Sequence, residues 1–477
     1  MSVSDGGTWA KVSEVFRGDS AVKALASGVG VPDDSVRMFL SLLAGYPLAF
    51  MYRGLLYGRS STLQHIYFII CGVYMGYFNF GIDVLHSFVN LILIYLLTRI
   101  GAGRWWSLPA AFLINTGYLV LGFASSSKNG EYYRIEWTTS HCVLILKLTG
   151  VVADLYDGSK PEEKLSPDQK ETAIKKTPTI LELMGHCYFF GAFLIGPQCS
   201  IRRYLTLVKG GFAGRGDKVP NSVAAGLTKL IVGLFYILTM LILMLITPTD
   251  YFFIKDFYDL FLPIKCLYII VWGRYVLSRY IACWHISEGI CILTGLPYNG
   301  EDEKGNPTWN SMENIKLYEF ETSFSLYGLT KAFNVQTSTW MVKYLMKRLR
   351  FLGNKELSKF ITFAYLALWH GLYTGYFNTF FLEFMMITAE TFILSRLKGR
   401  IGPLPSGRLN SVWLWVFFRL FYCQFFWGYA LVSFELLQFK KYMMVYSSLY
   451  FIGHLSHPLA CLFVYLNRSK KSAKAKD

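Results

Sequence analysis

The chain has 477 residues, of which 53% are hydrophobic and 17% aromatic, while only 16% carry charge. This composition excludes an ordinary soluble domain and favours a protein that lies in a bilayer. The net charge of +16 does not indicate nucleic-acid binding, because the basic residues lie in short connections and at the tail Arg468 to Lys471, where the positive-inside bias would place them.

Apolar stretches long enough to cross a bilayer, about 20 residues each, recur between Met38 and Asn467. They predict an all-α, polytopic transmembrane bundle of about eleven helices, preceded by a polar segment 1–36 that lacks a signal-peptide pattern. The predicted spans, in chain order, are Met38 to Gly58, Gln64 to Gly81, Val84 to Ile100, Trp105 to Ala124, Ser140 to Leu155, Ile180 to Gly196, Val223 to Thr247, Leu262 to Glu288, Ile361 to Phe392, Val412 to Phe434 and Tyr442 to Leu466. The ninth stretch fits one long helix or two short ones, and a basic tail 468–477 follows the last.

Three polar segments interrupt the apolar pattern, and each predicts a connection outside the membrane. They are a loop from Asp157 to Thr177 that we predict to be flexible, a Gly/Lys-rich stretch from Lys209 to Asn221, and the long connection 294–360. The third contains more aromatic residues than a disordered linker would, so we expect it to fold against the membrane face. The nine cysteines lie in apolar segments without a CxxC pair, which is typical of packing thiols rather than of metal ligands.

His370 is the strongest candidate for a catalytic residue within an apolar segment. Ionisable residues at membrane depth are costly and usually face a cavity or a partner. A helix that begins near Lys359 would place His370 about 16 Å deep, where desolvation favours a neutral imidazole that can accept a proton. Side chains three, four and seven positions beyond His370 would share its face if the helix continued. Tyr373, Thr374 and Phe377 would therefore form one polar stripe in an aromatic wall, and Trp369 and Tyr376 are further candidate wall and substrate-contact residues.

The alternative interpretation of His370 is a buried histidine bonded to a carbonyl of a neighbouring helix. Other histidines also lie in or beside apolar segments, and position along the chain does not rank five of them against His370. These five are His141, His186, His285, His454 and His457.

The connection 294–360 carries a second polar cluster, which begins at Asn334 and precedes a basic run. Lys343, Lys347 and Arg350 recur at spacings of four and three, so a continuous helix would present them on one face. We predict an interfacial helix whose charges lie in water. That face could bind the phosphates of coenzyme A or, alternatively, contact anionic lipid headgroups.

Two motifs resemble the membrane-bound O-acyltransferase family, and their combination is more specific than either alone. They are the histidine in LALWHGLYTGYFNTFF and the asparagine in FNVQTSTWMVKYLMKRLRFLGNK, which lies 36 positions upstream. The segments EWTTSHCVLILKLTGVVADLYDG, PTILELMGHCYFFGAFLIGPQCS and WNSMENIKLYEFET are similar to its lysophospholipid acyltransferase branch. The run TSTWMVKYLMKRLRFLGNKELS, followed by LALWHGL, looks most like the lysophosphatidylcholine acyltransferases of the endoplasmic reticulum.

The resemblance implies a transmembrane acyltransferase domain 37–467, in which the bundle and the interfacial region 294–360 enclose a chamber. It implies that His370 and Asn334 are the catalytic pair, with acyl-CoA entering from the cytosolic side and the lysolipid laterally or from the lumen. The implied reaction transfers a fatty acyl group from acyl-CoA to the free, sn-2 hydroxyl of a lysophospholipid such as lysophosphatidylcholine, in phospholipid remodelling. Location in the endoplasmic reticulum membrane is inherited from the resemblance, because the tail AKAKD lacks the usual lysine pair.

Acyl transfer from a thioester to a hydroxyl needs a base for the alcohol proton and a donor for the tetrahedral oxyanion. His370 suits the first role, and the amide of Asn334 could serve the second or hold the imidazole and substrate in register. Neither step needs a metal or another cofactor, so we expect acyl-CoA to be a co-substrate and no cofactor to be present. A carboxylate that orients His370 stays unassigned, with Glu319, Glu321 and Glu383 as candidates.

Three other functions stay open at this point. The acceptor could be a sterol, a diacylglycerol or a protein, since the histidine chemistry is common to all. A transporter could line its pathway with His141, Lys147, Asp154 and Glu182. A scaffold or scramblase-like protein could merely contact lipid headgroups. The expected partners are acyl-CoA, a lysophospholipid and the bilayer, without nucleic acid, and the oligomeric state, a homodimer included, is left open.

Overall fold

The computed structural model describes residues 14–126, 134–212, 220–397 and 416–474. Within these ranges the regular structure is helical, and β pairing is limited to one isolated bridge between Glu301 and Pro307. The prediction of an all-α protein is therefore confirmed. The first thirteen residues of the polar N-terminal segment and residues 475–477 of the predicted basic tail lie outside the described ranges.

Ten α-helices lie in the first half of the described chain. They are α1 (Asp19–Val29), α2 (Asp33–Met51), α3 (Ser61–Phe80), α4 (Leu85–Gly101), α5 (Ser107–Ser126), α6 (Trp137–Gly158), α7 (Pro167–Thr172), α8 (Ile180–Cys187), α9 (Ile201–Val208) and α10 (Val223–Ile246). A π-helical turn, Tyr52–Leu56, extends α2, and 3-10 turns lie at Gly81–Val84, Glu162–Lys164 and Thr249–Phe253.

The second half of the described chain contains ten more helices, several of them short. They are α11 (Lys255–Asp259), α12 (Leu262–Thr294), α13 (Leu317–Thr322), α14 (Leu326–Ala332), α15 (Val335–Tyr344), α16 (Lys355–His370), α17 (Thr374–Leu397), α18 (Gln424–Leu436), α19 (Phe439–Ser448) and α20 (Ile452–Lys474). A 3-10 segment, Met346–Leu352, precedes α16, and a π-helical segment, Phe417–Cys423, leads into α18.

Six helical segments of the described chain are long and apolar enough to cross a membrane, which confirms a multi-pass protein. They are Asp33–Leu56, Ser61–Gly101, Ser107–Ser125, Trp137–Gly158, Val223–Phe253 and Thr374–Arg396. The pair α19 and α20, bent by 62°, adds a seventh if it is one broken span. The predicted number of about eleven helices is not confirmed.

Two of the predicted spans are not among these segments. The stretch from Ile180 to Gly196 forms only the eight residues of α8, and the aromatic residues that follow are buried in protein. A Thr179–Glu182 capping box starts this short helix. The eighth stretch forms α12, whose 33 residues are not among the segments apolar enough to cross a membrane.

The segment from Asp157 to Thr177 is folded rather than flexible. It contains a 3-10 turn and α7, which begins with a capping box between Ser166 and Gln169. The carboxylate of Asp157 accepts a hydrogen bond from Gln169 at 3.0 Å, and Asp154 accepts one from Thr172 at 2.7 Å. These bonds tie the loop to the end of α6, so its polar composition reflects local pairing as well as exposure to water.

Residues 1–234 and 283–313 form one compact unit. Its central element is α6, which is buried along almost its whole length. Asn90, Asn115 and Thr149 link α4, α5 and α6 through hydrogen bonds of 2.9 and 2.7 Å. Such bonds satisfy polar groups that would otherwise be costly inside a membrane protein.

Residues 235–282 and 314–477 form the second compact unit. Here α17 packs against α16, α18 and α20. At Gly375, near the start of α17, an added Cβ would lie 2.0 Å from the backbone oxygen of Ser433. The absent side chain lets α17 and α18 approach closely, and this brings the start of α17 to the side chains described below.

Candidate active site

His370 is the last residue of α16 and lies at a break between two helices. The helix starts at a cap in which the side chain of Asn354 accepts a hydrogen bond from the Leu357 amide at 3.0 Å. It stops at Gly371, whose φ of 147° is not available to ordinary residues. Helical structure resumes only at Thr374. Of the two possibilities for the stretch Ile361 to Phe392, the pair of short helices is correct.

Replacing Gly371 with alanine is expected to destabilise this break. The new Cβ would lie 2.8 Å from Cε2 of Tyr376 and would force a side chain into the unfavourable φ region, at a cost of about 1 to 3 kcal/mol. We expect a lower apparent Tm in detergent and a lower kcat. Gly353→Ala is the matched control, because Gly353 also has a positive φ but open space around it. Equal shifts in the two variants would contradict the role given to Tyr376.

Four aromatic side chains surround the imidazole of His370. The ring centroids of Trp369, Phe380, Phe434 and Tyr376 lie 4.7, 5.1, 5.1 and 5.6 Å from that of His370. The histidine nevertheless keeps part of its surface accessible. Its ring nitrogens have no hydrogen-bond partner in the described part of the protein. An imidazole nitrogen without a hydrogen bond, surrounded by apolar rings, is well suited to accept a proton from a substrate.

The predicted chamber wall is only partly found around His370. Trp369 and Tyr376 contact its ring, and the Tyr373 ring lies 6.3 Å from that of Tyr376. Thr374 and Phe377 are exposed, because the helix break turns them away from the direction that continuous helical spacing requires. The prediction that positions three, four and seven beyond His370 share its face is therefore wrong.

Two cage residues were missed by sequence reasoning. Phe380 lies on α17, at a spacing that makes sense only once the break after His370 is known. Phe434 comes from α18, far along the chain, and no local spacing connects it with His370. Its place in an aromatic, apolar stretch was the only signal available.

Asn334 occupies a tight turn between α14 and α15. Its backbone is left-handed, with φ 47° and ψ 47°, a conformation that asparagine tolerates better than most residues. Asn314 holds this turn, since its backbone oxygen and its side-chain oxygen accept hydrogen bonds from the amides of Val335 and Gln336 at 2.9 and 3.0 Å. The side chain of Asn334 is half-buried and has no hydrogen-bond partner among the described residues.

A series of aromatic contacts connects the two predicted catalytic residues within the second unit. Phe333, the neighbour of Asn334, lies 6.4 Å from the ring of Tyr280. Tyr280 lies 6.3 Å from Phe434, which contacts His370. Asn334 and His370 therefore belong to one aromatic-walled region of the same unit.

Two carboxylates of α17 hold α14, the helix that leads into the Asn334 turn. Glu390 is buried and accepts hydrogen bonds from the amides of Leu326 and Tyr327 at 3.0 and 2.9 Å. Glu383 accepts one from the hydroxyl of Thr330 at 3.2 Å. Negative charge at a helix N-terminus also interacts favourably with its dipole. These bonds fix the start of α14 to the helix that follows His370.

Glu390→Gln is expected to loosen the Asn334 turn, because a neutral amide is a weaker acceptor for the α14 amides. The loss should be about 1 kcal/mol of stability, seen as a lower apparent Tm, with a lower kcat and an unchanged KM for acyl-CoA. Glu356→Gln, which removes an exposed carboxylate paired with Lys359 at 2.9 Å, is the control. A wild-type kcat for Glu390→Gln would show that anchoring α14 does not affect the reaction.

The candidate carboxylates for orienting His370 have other partners. Glu383 bonds to Thr330, as described above. Glu321 pairs with Arg274 at 2.7 Å and with Arg419 at 3.0 Å. Burial raises the pKa of Glu321, but the two arginines outweigh burial and hold it below its ordinary value. Glu319 is exposed, 3.6 Å from Lys316. None of the three bonds to His370, and in the described ranges no three His, Cys, Asp or Glu side chains are grouped to hold a metal ion.

The basic run does not form one amphipathic helix. α15 ends at Tyr344, and Leu345 has φ −120° and ψ −67°, after which the chain continues as a 3-10 segment. The spacing of four and three therefore does not place Lys343, Lys347 and Arg350 on a common α-helical face. Lys343 lies 5.0 Å from the Tyr344 ring, Lys347 is half-buried and Arg350 is exposed.

The other conspicuous histidines are packed or bonded. His141 lies between aromatic rings and 3.3 Å from Asn90, and His186 packs 5.6 Å from Tyr204. His285 is 3.7 Å from Glu288. His454 and His457 bond to tyrosine hydroxyls at 2.7 and 3.2 Å. Within the second unit, only His370 among these combines an aromatic cage with unbonded nitrogens in the described coordinates.

The residues that a transporter would need along its pathway are instead engaged in packing. Lys147 is buried and donates to the backbone oxygens of His186 and Cys187 at 3.3 Å each. Asp154 bonds to Thr172, and Glu182 caps α8. These contacts give each charged group a structural role.

Comparison with known proteins identifies relatives over almost the whole chain. Residues 123–434 match the model of MBOAT, the membrane-bound O-acyltransferase family. The chain is 36% identical over 464 residues to Lysophospholipid acyltransferase 5 of Homo sapiens, covering 96% of this chain and 94% of the relative. Identity to the protein of that name is 37% over 452 residues in Bos taurus, with coverage of 94% and 92%, and 34% over 451 residues in Drosophila melanogaster, with coverage of 93% and 89%. The family match includes both Asn334 and His370.

Proposed function

The chain belongs to the membrane-bound O-acyltransferase family and is a multi-pass lysophospholipid O-acyltransferase, and from this premise we propose that it transfers a fatty acyl group from acyl-CoA to the free sn-2 hydroxyl of lysophosphatidylcholine. The observation that carries the proposal is the environment of His370. Its imidazole is caged by aromatic rings and free of hydrogen bonds to described residues, in the unit that also contains the unbonded amide of Asn334.

His370 is the general base of this reaction. The aromatic cage favours the neutral imidazole, which takes the proton of the glycerol hydroxyl as its oxygen attacks the thioester carbon. A tetrahedral oxyanion forms and collapses, the carbon–sulfur bond breaks and the coenzyme A thiolate leaves with the bonding electrons. The imidazolium returns its proton to that thiolate, directly or through solvent. Excluding water from the cage also protects the thioester from hydrolysis.

Asn334 stabilises the oxyanion or holds the acceptor beside His370. Its amide is positioned by a pinned turn and has no internal partner within the described structure, so its donor hydrogens are available to a substrate. A fixed donor aimed at a developing oxyanion contributes about 2.7 to 4 kcal/mol. No covalent acyl-enzyme is required.

The proposal also covers the contacts to acyl-CoA, the lining of the lipid approach and the membrane in which the enzyme lies. The positive charges of Lys343, Lys347 and Arg350 attract the phosphates of coenzyme A, although these residues do not share a helical face. Tyr373, Thr374 and Phe377, which lie on or beside the start of α17, line the approach of the acyl chain or lysolipid. We also place the enzyme in the endoplasmic reticulum membrane and in phospholipid remodelling, on the strength of the motif resemblance.

A product assay with purified protein in nanodiscs tests the function. The protein is incubated with one polyunsaturated acyl-CoA and, separately, with lysophosphatidylcholine, a sterol or a diacylglycerol, and the products are identified by mass spectrometry. We expect phosphatidylcholine acylated at sn-2, together with one free coenzyme A per product. Formation of a sterol ester or triacylglycerol, with no phosphatidylcholine, would overturn the choice of acceptor.

A further inference from the structure

A charged cluster lies next to the His370 cage and has no role in the chemistry described above. It comprises Arg279 and Tyr280 of α12 and Glu435 of α18. The Arg279 Nη2 donates to Glu435 Oε1 at 2.5 Å and to the Tyr280 hydroxyl at 3.1 Å, and that hydroxyl donates to Glu435 Oε1 at 3.2 Å. Glu435 directly follows Phe434, whose ring lies 5.1 Å from His370. The Tyr280 ring lies 6.3 Å from that of Phe434, so the cluster lies beside the aromatic cage of His370.

The cluster has unbonded donor and acceptor atoms that can bind an anion and a cation. Only Nη2 of the guanidinium and Oε1 of the carboxylate are hydrogen-bonded, so Arg279 Nε and Nη1 and Glu435 Oε2 have no hydrogen-bond partner in the described ranges. The two side chains are 38% and 17% exposed. Because these charged groups are partly exposed and retain free hydrogen-bonding atoms, a charged ligand that reaches the cluster can bind to them.

We propose that Arg279, Tyr280 and Glu435 bind the zwitterionic headgroup of the acceptor, an inference that rests on the proposed function. The free Arg279 donors match the geometry of a phosphate. The carboxylate of Glu435 suits a quaternary ammonium group, while the ring of Tyr280 lies under the Arg279 guanidinium, 4.9 Å from centroid to Cζ, and holds it in place. In a lysophospholipid, one carbon and one oxygen separate the carbon that bears the sn-2 hydroxyl from phosphorus, and choline lies just beyond. A headgroup held here places that hydroxyl toward His370.

The same cluster predicts discrimination between headgroups. Its charges cancel, so it complements a phosphate paired with a cation and gains nothing from extra negative charge. A phosphoserine headgroup carries a carboxylate beside its ammonium group, and this carboxylate would lie close to Glu435 and offset the attraction of the ammonium. Phosphocholine is therefore preferred over phosphoserine, and lysophosphatidic acid, which lacks a cation, uses only the Arg279 half of the site.

Headgroup selectivity of the full-length protein in nanodiscs is the test. With one acyl-CoA, kcat/KM is measured for lysophosphatidylcholine, lysophosphatidylserine and lysophosphatidic acid. Glu435→Gln should narrow the preference for choline over serine by about tenfold, and Arg279→Gln should raise the KM of every acceptor by about tenfold. The KM for acyl-CoA should not change. The double variant Arg279→Gln/Glu435→Gln leaves no lone charge, and the matched control Lys229→Gln/Glu288→Gln removes an ion pair of 2.7 Å in the other unit.

A measurement on the wild type keeps the test valid even if the variants fail to fold. A 2-deoxy lysophosphatidylcholine, which lacks the reacting hydroxyl, should inhibit with a Ki about tenfold below that of its serine counterpart. Equal Ki values, or folded variants that keep the wild-type headgroup ranking, would overturn the inference alone. A wild type that acylates no lysophospholipid would overturn the proposed function itself.

Discussion

His370→Ala is expected to lower kcat by about 10² to 10⁴-fold, the range that a general base contributes. The variant removes the only group within the described cage that can accept the hydroxyl proton, while its four aromatic neighbours stay in place. Acyl-CoA binding should persist, because the predicted phosphate contacts lie elsewhere. Steady-state acylation of lysophosphatidylcholine in nanodiscs measures the effect.

Two further variants distinguish the role of His370 as a base from its role as a ring that fills the cage. His370→Gln keeps a polar side chain of similar size without a titratable nitrogen, so it should be as inactive as alanine. His86→Ala removes an exposed histidine stacked on Trp137 in the other unit and should keep the wild-type kcat. Substantial turnover by His370→Gln would mean that the ring shapes the cage and does not move the proton.

Asn334→Ala is expected to lower kcat by about 10² to 10³-fold, if the amide stabilises the oxyanion. The KM for acyl-CoA should change little, since the donor is used mainly in the transition state. Part of the loss could come from the backbone, because alanine adopts the left-handed conformation of this position only at a cost of about 1 to 2 kcal/mol.

Asn334→Gly resolves these two contributions. Glycine accepts φ 47° without strain but supplies no amide, so it should be nearly as slow as alanine while recovering the wild-type Tm. Asn334→Asp keeps the shape and loses the donor, and it should be slow as well. Activity of the glycine variant close to wild type would assign Asn334 a conformational role and remove it from the chemistry.

The chemistry of the site was more predictable from sequence than its geometry. His370 stood out because an ionisable group in an apolar stretch is costly, and Asn334 because of its motif. Their surroundings depend on features that are not periodic. Because the helix breaks at Gly371, Phe380 rather than Phe377 packs against the His370 ring. Phe434 of α18 contacts that ring through tertiary packing.

The fold shows the same division between composition and geometry. A helical membrane protein follows from composition, because backbone groups in a bilayer must bond internally. The number of spans does not follow, because residues such as Phe189 and Phe193 are apolar yet buried in protein rather than in lipid. The prediction of one helical face for the basic run was wrong for a related reason. The spacing rule assumes a continuous helix and does not predict the break at Leu345.

The most direct test of the account is a single turnover started from bound, acyl-labelled acyl-CoA. Wild type and His370→Ala are loaded in nanodiscs, lysophosphatidylcholine is added, and label on coenzyme A, protein and phospholipid is followed over time. The account predicts that label passes from coenzyme A to phospholipid in the wild type, never appears on protein, and stays on coenzyme A in the variant. Label that accumulates on protein and then moves to phospholipid, or wild-type transfer by His370→Ala, would contradict direct transfer with His370 as the base.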